Sequence, residues 1–396
     1  MAAATLLADA GHEVTVYERF EHPKPIGAGL LLQPTGLAIL GRLGLRDTIL
    51  GLVARVEGID GRTIGGRRVL DLRYADLHPG MFGVGIHRGA LFTAMFERLQ
   101  RSTATLSVGR EVTGLDQSGD GARPTFSDAG PGDRHDLVVV ADGAHSTLRT
   151  IVGGRHRAPV YPWGCLWLTV PDPGSGFAGL LRQRFGDSRI MIGALPVGRQ
   201  PDAPAGPPLL TIFWSLKLAY IETTRANGIG ALKARIATAW PELAPLIAGV
   251  DDMDAVTSAS YRHVALPRWV NGRVVFLGDA AHGISPQLGQ GANLALIDAA
   301  VLADSLADTT DVGAGLERYQ TERRRITAYY RQASALLTPF YQSSWAPLGW
   351  LRDLTFGPMC RFGPTRDMML TTLAGLRRGW FEVTPLERHR DGRDAT

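Results

Sequence analysis

The stretch Arg273 to Ala300 reads RVVFLGDAAHGISPQLGQGANLALIDAA: an apolar strand, a Gly-Asp turn, a glycine-rich loop and a helix. The run 274–277 is apolar and β-branched, as suits a buried parallel strand, and Gly278 allows a sharp turn that leaves Asp279 at its carboxyl end. Ligands of open α/β sheets bind at that end. Gly289 and Gly291 bracket Gln290, and Ala292 and Asn293 lead into a helix predicted from about 293 to 306. Its unpaired N–H groups and positive dipole end suit an anion or an electron-rich ring edge. Pro286, rigid and without a donor, offers a flat apolar wall beside them. Taken alone, the same glycines could serve only as turn formers.

A second strand ends in the same way. Residues 136–150 read DLVVVADGAHSTLRT, with a buried strand expected over 137–141 and Asp142-Gly143 at its carboxyl end. At the amino terminus, residues 2–9 are expected to be helical and Gly11 to stop that helix. Residues 14–17 then form a short strand ending in Glu18 and Arg19. This has the form of the second half of a Rossmann unit, whose terminal acid accepts hydrogen bonds from ribose hydroxyls.

Residues 27–44 read as a strand and then a helix opening at Pro34-Thr35, and 55–72 as a hairpin turning at Gly65-Gly66. His87 and Arg88 precede a helix over 89–100. Between 157 and 268 the runs 163–170, 179–185, 189–195 and 209–216 are strand-like, separated by proline- and glycine-rich connections. They predict an antiparallel sheet whose aromatics, Trp167, Phe213, Trp214 and Tyr220, suit a planar ring, although each is more readily a strand-core residue than a substrate contact. A long charged helix over 315–337 follows. The segment 345–380 is expected to pack on the sheet in preference to lying on a membrane face, and the final HRDGRDAT to fray.

Composition narrows the function. Lys+Arg is 42 against Asp+Glu 38 in 396 residues, and the charges are dispersed, which argues against a nucleic-acid stripe. The two cysteines, Cys165 and Cys360, lack CxxC spacing, so neither a disulfide framework nor a metal site is indicated, and a cytoplasmic location is expected. No apolar run is long enough to span a bilayer, and HExxH, GxSxG and GxxxxGK[ST] are all missing. Redox cofactor chemistry is the class left standing.

In order, GD, AAH, Pro286, GQGAN and Asp298 resemble the second flavin fingerprint of the class A flavoprotein monooxygenases, the relatives of para-hydroxybenzoate hydroxylase and salicylate hydroxylase. DG-x-x-S-x-x-R, filled by Asp142, Gly143, Ser146 and Arg149, matches the family's DG motif, and AGHEVTVYER and HRGAL fit its other segments. The resemblance implies a mixed α/β (α+β) chain, built on a Rossmann-like FAD-binding fold lacking its first strand. An antiparallel-sheet substrate domain and C-terminal helices complete it. The expected divisions are 1–156 and 269–310 for FAD, 157–268 for substrate, and 311–396 for the helices.

It further implies that Asp279, after Gly278, holds the flavin ribityl or pyrophosphate. The backbone of Gly289, Gln290, Gly291, Ala292 and Asn293, beside Pro286, would face the pyrimidine end of the ring. Glu18 and Arg19 would meet the adenosine end and Arg88 the flavin, and the DG motif would touch both the pyrophosphate and the NADH or NADPH donor. The implied reaction is hydroxylation of a small aromatic or hydrophobic substrate with O2, through a flavin C4a-hydroperoxide. The protein would be a monomer or homodimer with no nucleic-acid partner.

No catalytic base is assigned, His282 and Tyr220 being the candidates. The family's first strand and GxGxxG loop are missing: the third glycine would lie roughly eighteen positions before Glu18. The expectation is that about fifteen to twenty residues precede Met1 in the natural protein. A flavin-poor binding or regulatory descendant, or another FAD oxidoreductase on this scaffold, is the alternative. The WxWxIP element of flavin halogenases is not found.

Overall fold

The computed structural model describes residues 1–24, 27–152, 157–172, 174, 176–200, 202–203 and 205–385; the HRDGRDAT tail lies outside them. Helix α1 (Ala2–Asp9) leads into β1 (Thr15–Glu18), and Gly11 (φ +91°) takes the left-handed conformation that ends α1. Then come β2 (Gly29–Leu32), α2 (Pro34–Arg42) with proline in its first turn, and the short α3 (Arg46–Leu50). Strands β3 (Ala54–Thr63) and β4 (Arg68–Arg73) form the expected hairpin. After β5 (Gly83–His87), α4 (Arg88–Gln100) and β6 (Thr105–Val108), a small sheet of β7 (Val112–Ser118), β8 (Gly121–Phe126) and β9 (Gly130–Pro131) precedes β10 (Val138–Val140).

The middle of the chain supplies β11 (Val160–Pro171), β12 (Gly179–Gly186), β13 (Ile190–Gly198) and β14 (Leu209–Lys217), then α5 (Ile221–Ala226), α6 (Gly228–Ala239) and α7 (Ala244–Ile247). Strands β15 (Val256–Arg262), β16 (Val270–Asn271) and β17 (Val274–Phe276) lead to α8 (Asp279–His282) and α9 (Gly291–Ala307). The chain closes with α10 (Val312–Tyr341), α11 (Pro347–Arg361) and α12 (Gly363–Leu373).

Two parallel pairs carry the nucleotide-type part. β1 pairs β6, and β10 pairs β17 in the register Val138↔Val274 to Val140↔Phe276. Among the described residues no strand joins these pairs. β10 is therefore hydrogen-bonded along one edge only, and Val138 and Val139 are half-buried where full burial was expected. Apolar faces of α1, α2 and α9 share one core with β17.

The expected antiparallel sheet forms, but it is larger than 157–268. Its order is β15-β11-β14-β13-β12-β3-β5-β2, with β4 beside β3, and the β12–β3 contact is parallel. Side chains alternate across it, so its two faces differ. Leu168, Ile192, Ile212 and Trp214 face the helices α5 to α7. Cys165, Trp167, Phe185, Met191 and Phe213 lie on the other face, with the residues of α11 and α12. Trp214 thus belongs to the far core, and Tyr220 is exposed. Of the four aromatics, Trp167 and Phe213 share one face of the sheet, Trp214 packs in the opposite core and Tyr220 lies outside both.

Candidate functional site

Because β10 and β17 are adjacent, parallel and in register, the DG and GD turns leave the sheet side by side. Arg149 joins them. Its Nε donates to the Ala280 carbonyl (2.8 Å), Nη1 to Ser146 O (3.0 Å), and Nη2 to Gly143 O (2.8 Å) and Asp279 O (3.3 Å). A buried guanidinium whose donors all end on carbonyls holds two loops in one geometry. Both turns need glycine: Gly143 has φ +83° and Gly278 φ +59°. A Cβ at Gly278 would lie 3.2 Å from Ala295 Cβ, so its absence also lets α9 approach the turn.

Beneath the GD turn, Asp298 is fully buried. It accepts from Gly278 N (2.9 Å) and Arg323 Nε (2.7 Å) and bonds His282 Nε2 (2.5 Å). Burial pushes its carboxyl up, but His282 and Arg323 outweigh that and hold it at about 2. His282 stacks on Trp269 with ring centroids 4.9 Å apart. It is a structural member of this network, which removes it as a candidate base.

The Asp279 carboxylate is exposed, and no described group bonds it. Burial raises the Asp142 carboxyl above the ordinary carboxylate range, and Ser146, Arg149 and Arg19, the last just past the end of β1, oppose it in part. Glu18 accepts from Phe20 N (3.0 Å) with one oxygen and has the other available.

The glycine loop is anchored from three directions. Pro286 opens a short turn closed by Gly289 in the left-handed region (φ +61°). Just before it, Ser285 bonds Ser334 and Thr338 of α10. Gln290 donates to Thr372 O (3.1 Å) and Leu373 O (2.7 Å) at the end of α12. Asn293 accepts from Gln33 N (2.8 Å) and donates to Gly289 O (3.1 Å), and Gln33 Oε1 accepts from Tyr74. Gly291 and Ala292 form the first turn of α9, next to the Asp279 carboxylate.

Three polar side-chain atoms around this loop stay buried without partners: Gln33 Nε2, Gln290 Oε1 and Gln287 Nε2. A Cβ at Gly289 would stand 3.8 Å from the first. Leaving such a group unsatisfied costs about 1–3 kcal/mol. A donor and an acceptor kept unpaired beside a helix amino terminus fit a ring edge that carries carbonyl and N–H groups, which is the edge an isoalloxazine presents.

Arg88 begins α4, its N–H bonded to Ala28 O (2.7 Å). Its side chain passes over Gly27, where a Cβ would be 2.7 Å from Nη1. No described acid pairs with it, and it lies close enough to Tyr261 to act on that phenol. Burial pushes the Tyr261 phenol well up, with the Cys165 thiol adding to this and Trp167 and Arg88 opposing it, so the phenol is neutral. Trp167 and Phe213 lean together at 5.1 Å. Gly193 is what lets the Phe213 ring lie on the sheet, since a Cβ there would fall 1.9 Å from it.

Sequence reasoning missed Tyr261, because one tyrosine in an alternating strand carries no signal of its own. It also missed Arg262, whose Nε donates to His145 Nδ1 (3.3 Å) beside the DG turn.

Residues 1–334 match the FAD binding domain family model. The chain belongs to this family of class A flavin monooxygenases. Over 336 residues it is 28% identical to the FAD-dependent urate hydroxylase of Klebsiella pneumoniae, covering 82% of this chain and 83% of that one. The 3-amino-4-hydroxybenzoate 2-monooxygenase of Streptomyces cremeus is 29% identical over 366 residues, covering 86% and 85%. The crystal structure of Klebsiella pneumoniae HpxO complexed with FAD and uric acid superimposes with a TM-score of 0.79, over 94% of each chain at 22% identity. That likeness supports the mixed α/β FAD-binding fold with antiparallel sheet and C-terminal helices.

Proposed function

We propose that this protein is an FAD-dependent monooxygenase that uses NADH or NADPH and O2 to hydroxylate a planar aromatic or heteroaromatic substrate in the cytoplasm. One observation carries the reading. Arg149 locks the DG and GD turns beside a glycine loop that keeps Gln33 Nε2 and Gln290 Oε1 unpaired. FAD, when bound, supplies the electron transfer and oxygen activation. The relatives compared above are by name a urate hydroxylase and an aminohydroxybenzoate monooxygenase, both with planar ring substrates.

The chain's own residues then have definite tasks. Asp279 accepts hydrogen bonds from cofactor hydroxyls, and the free N–H groups of α9 stabilise negative charge on the reduced ring. Gln33 and Gln290 fix the ring edge. Trp167 and Phe213 cover the substrate and exclude water. Tyr261, neutral and near Arg88, holds a substrate hydroxyl by hydrogen bonding, and Arg88 favours its ionised form. Arg262 and His145 stand where the DG turn would meet the phosphates of the nicotinamide donor.

Purified chain titrated with FAD should turn yellow and quench flavin fluorescence. NADH or NADPH consumption should then rise with one member of a panel of phenols, hydroxypyridines and purines, giving a product heavier by one oxygen atom. Failure to bind FAD at any concentration tested would overturn the proposal. Tyr261→Phe should leave FAD binding unchanged and raise the substrate KM by about tenfold, the loss of one buried hydrogen bond.

A further inference from the structure

Helix α11 is apolar nearly all round, yet only one side of it is covered. Gly349, Arg352, Phe356 and Cys360 are buried against the body of the protein, where α11 lies on β4. The opposite side is a stripe at helical spacing: Pro347, Trp350, Leu351, Leu354, Pro358 and Arg361. A helix apolar on every side is ordinarily enclosed. Here Trp350 is 65% exposed and Leu354 61%, and Trp345 and Phe362 flank the helix at 63% and 62%. Such a contiguous patch on a folded chain marks a contact surface.

Charge identifies what would cover it. Within 345–367 the ionic side chains are Arg352, Asp353, Arg361, Arg366 and Asp367. Arg352 is buried and bonds Asp353 (2.7 Å), so that carboxylate is neutralised on the packed side. What borders the stripe is Arg361, which pairs with no described acid, whereas Arg366, one turn into α12, lies 3.7 Å from the Asp367 carboxylate. A second copy docked across a two-fold axis would offer no carboxylate of the stripe to meet Arg361. Anionic headgroups above an apolar layer match both features: Trp, Leu and Phe enter the interface while arginine stays at its polar edge.

We propose that the outer face of α11, with Trp345 and Phe362, is a peripheral contact for an anionic lipid surface. The contact is independent of the reaction proposed above, because none of these residues belongs to the flavin or substrate site.

The test is co-sedimentation of the full FAD-loaded chain with vesicles. One set is phosphatidylcholine alone, and the other contains about one third phosphatidylglycerol. Wild type should pellet with the anionic vesicles, and less so at high salt. Trp350→Ser combined with Leu354→Ser should lower partitioning by about tenfold or more, with flavin absorbance and melting temperature unchanged. Wild type left in the supernatant with both vesicle types, or a double variant that pellets as well as wild type, overturns the proposal. A wild-type dimer in sedimentation velocity that the double variant converts to monomer also overturns it, and assigns the face to a second copy.

Discussion

At the scale of the residue, Arg149 shows how a motif position acts through geometry. Its donors end on four carbonyls of the two turns, so substitution should loosen both at once. Arg149→Lys keeps the charge and loses the fork. We expect FAD affinity to fall at least about tenfold, since hydrogen bonds from a charged group contribute roughly 1.5–3 kcal/mol each; flavin fluorescence titration reads it.

Asp298 gives a pH prediction. Its folded value of about 2 lies below the ordinary 3.8, so its stabilising contribution is complete above about pH 4 and is lost as the pH falls through about 2. That contribution is on the order of 2 kcal/mol. Asp298→Asn should be less stable at neutral pH by about 3–5 kcal/mol, because Arg323 is then buried without its partner. It should also lack the loss between pH 4 and pH 2 seen for wild type, as chemical denaturation at several pH values would show. The motif residues were legible in the sequence, but the direction of the Arg149 guanidinium was not, nor was the presence of Tyr261. Both depend on groups more than a hundred positions away.

At the scale of the element, glycines set how closely helices and strands approach. In α2, a Cβ at Gly36 would stand 2.1 Å from Asn293 Oδ1, the atom that receives the Gln33 N–H. Gly36→Ala should therefore push α2 away from α9, cost about 1–3 kcal/mol, and weaken FAD binding through the displaced glycine loop. Thermal melting with and without FAD checks both effects. The strand and helix read within 27–44 are both present as β2 and α2, because proline at a first turn and leucine spacing are local signals. That Gly36 is a contact point, and not merely a poor helix former, is decided by α9, which follows more than two hundred residues later. The same applies to α11: its helix could be read locally, while the division into a packed side and an exposed side could not.

At the scale of the whole molecule, flavin binding should be linked to folding, because the loops that would hold it come from β2, the DG and GD turns and the end of α12. FAD at about a hundred times its Kd should stabilise the chain by about 2.7 kcal/mol, a rise of roughly 2–4 °C in melting temperature. Calorimetry with FAD and with riboflavin would check it, and the smaller ligand should give less.

The sequence by itself determined the strand ends that bear Asp142 and Asp279, the helix that follows the glycine loop, and the family to which those motifs belong. These rest on short-range patterns of apolar runs, turn glycines and caps. Only the tertiary structure decided that β2, β3 and β5 join the large antiparallel sheet, that Trp214 packs under α5 to α7 while Trp167 and Phe213 lie on the opposite face, and that Gln33 and Gln290 keep unpaired atoms at the glycine loop. Strand alternation offers two faces without saying which neighbour will cover each. Pairing between distant strands settles that, and it is a property of the folded chain.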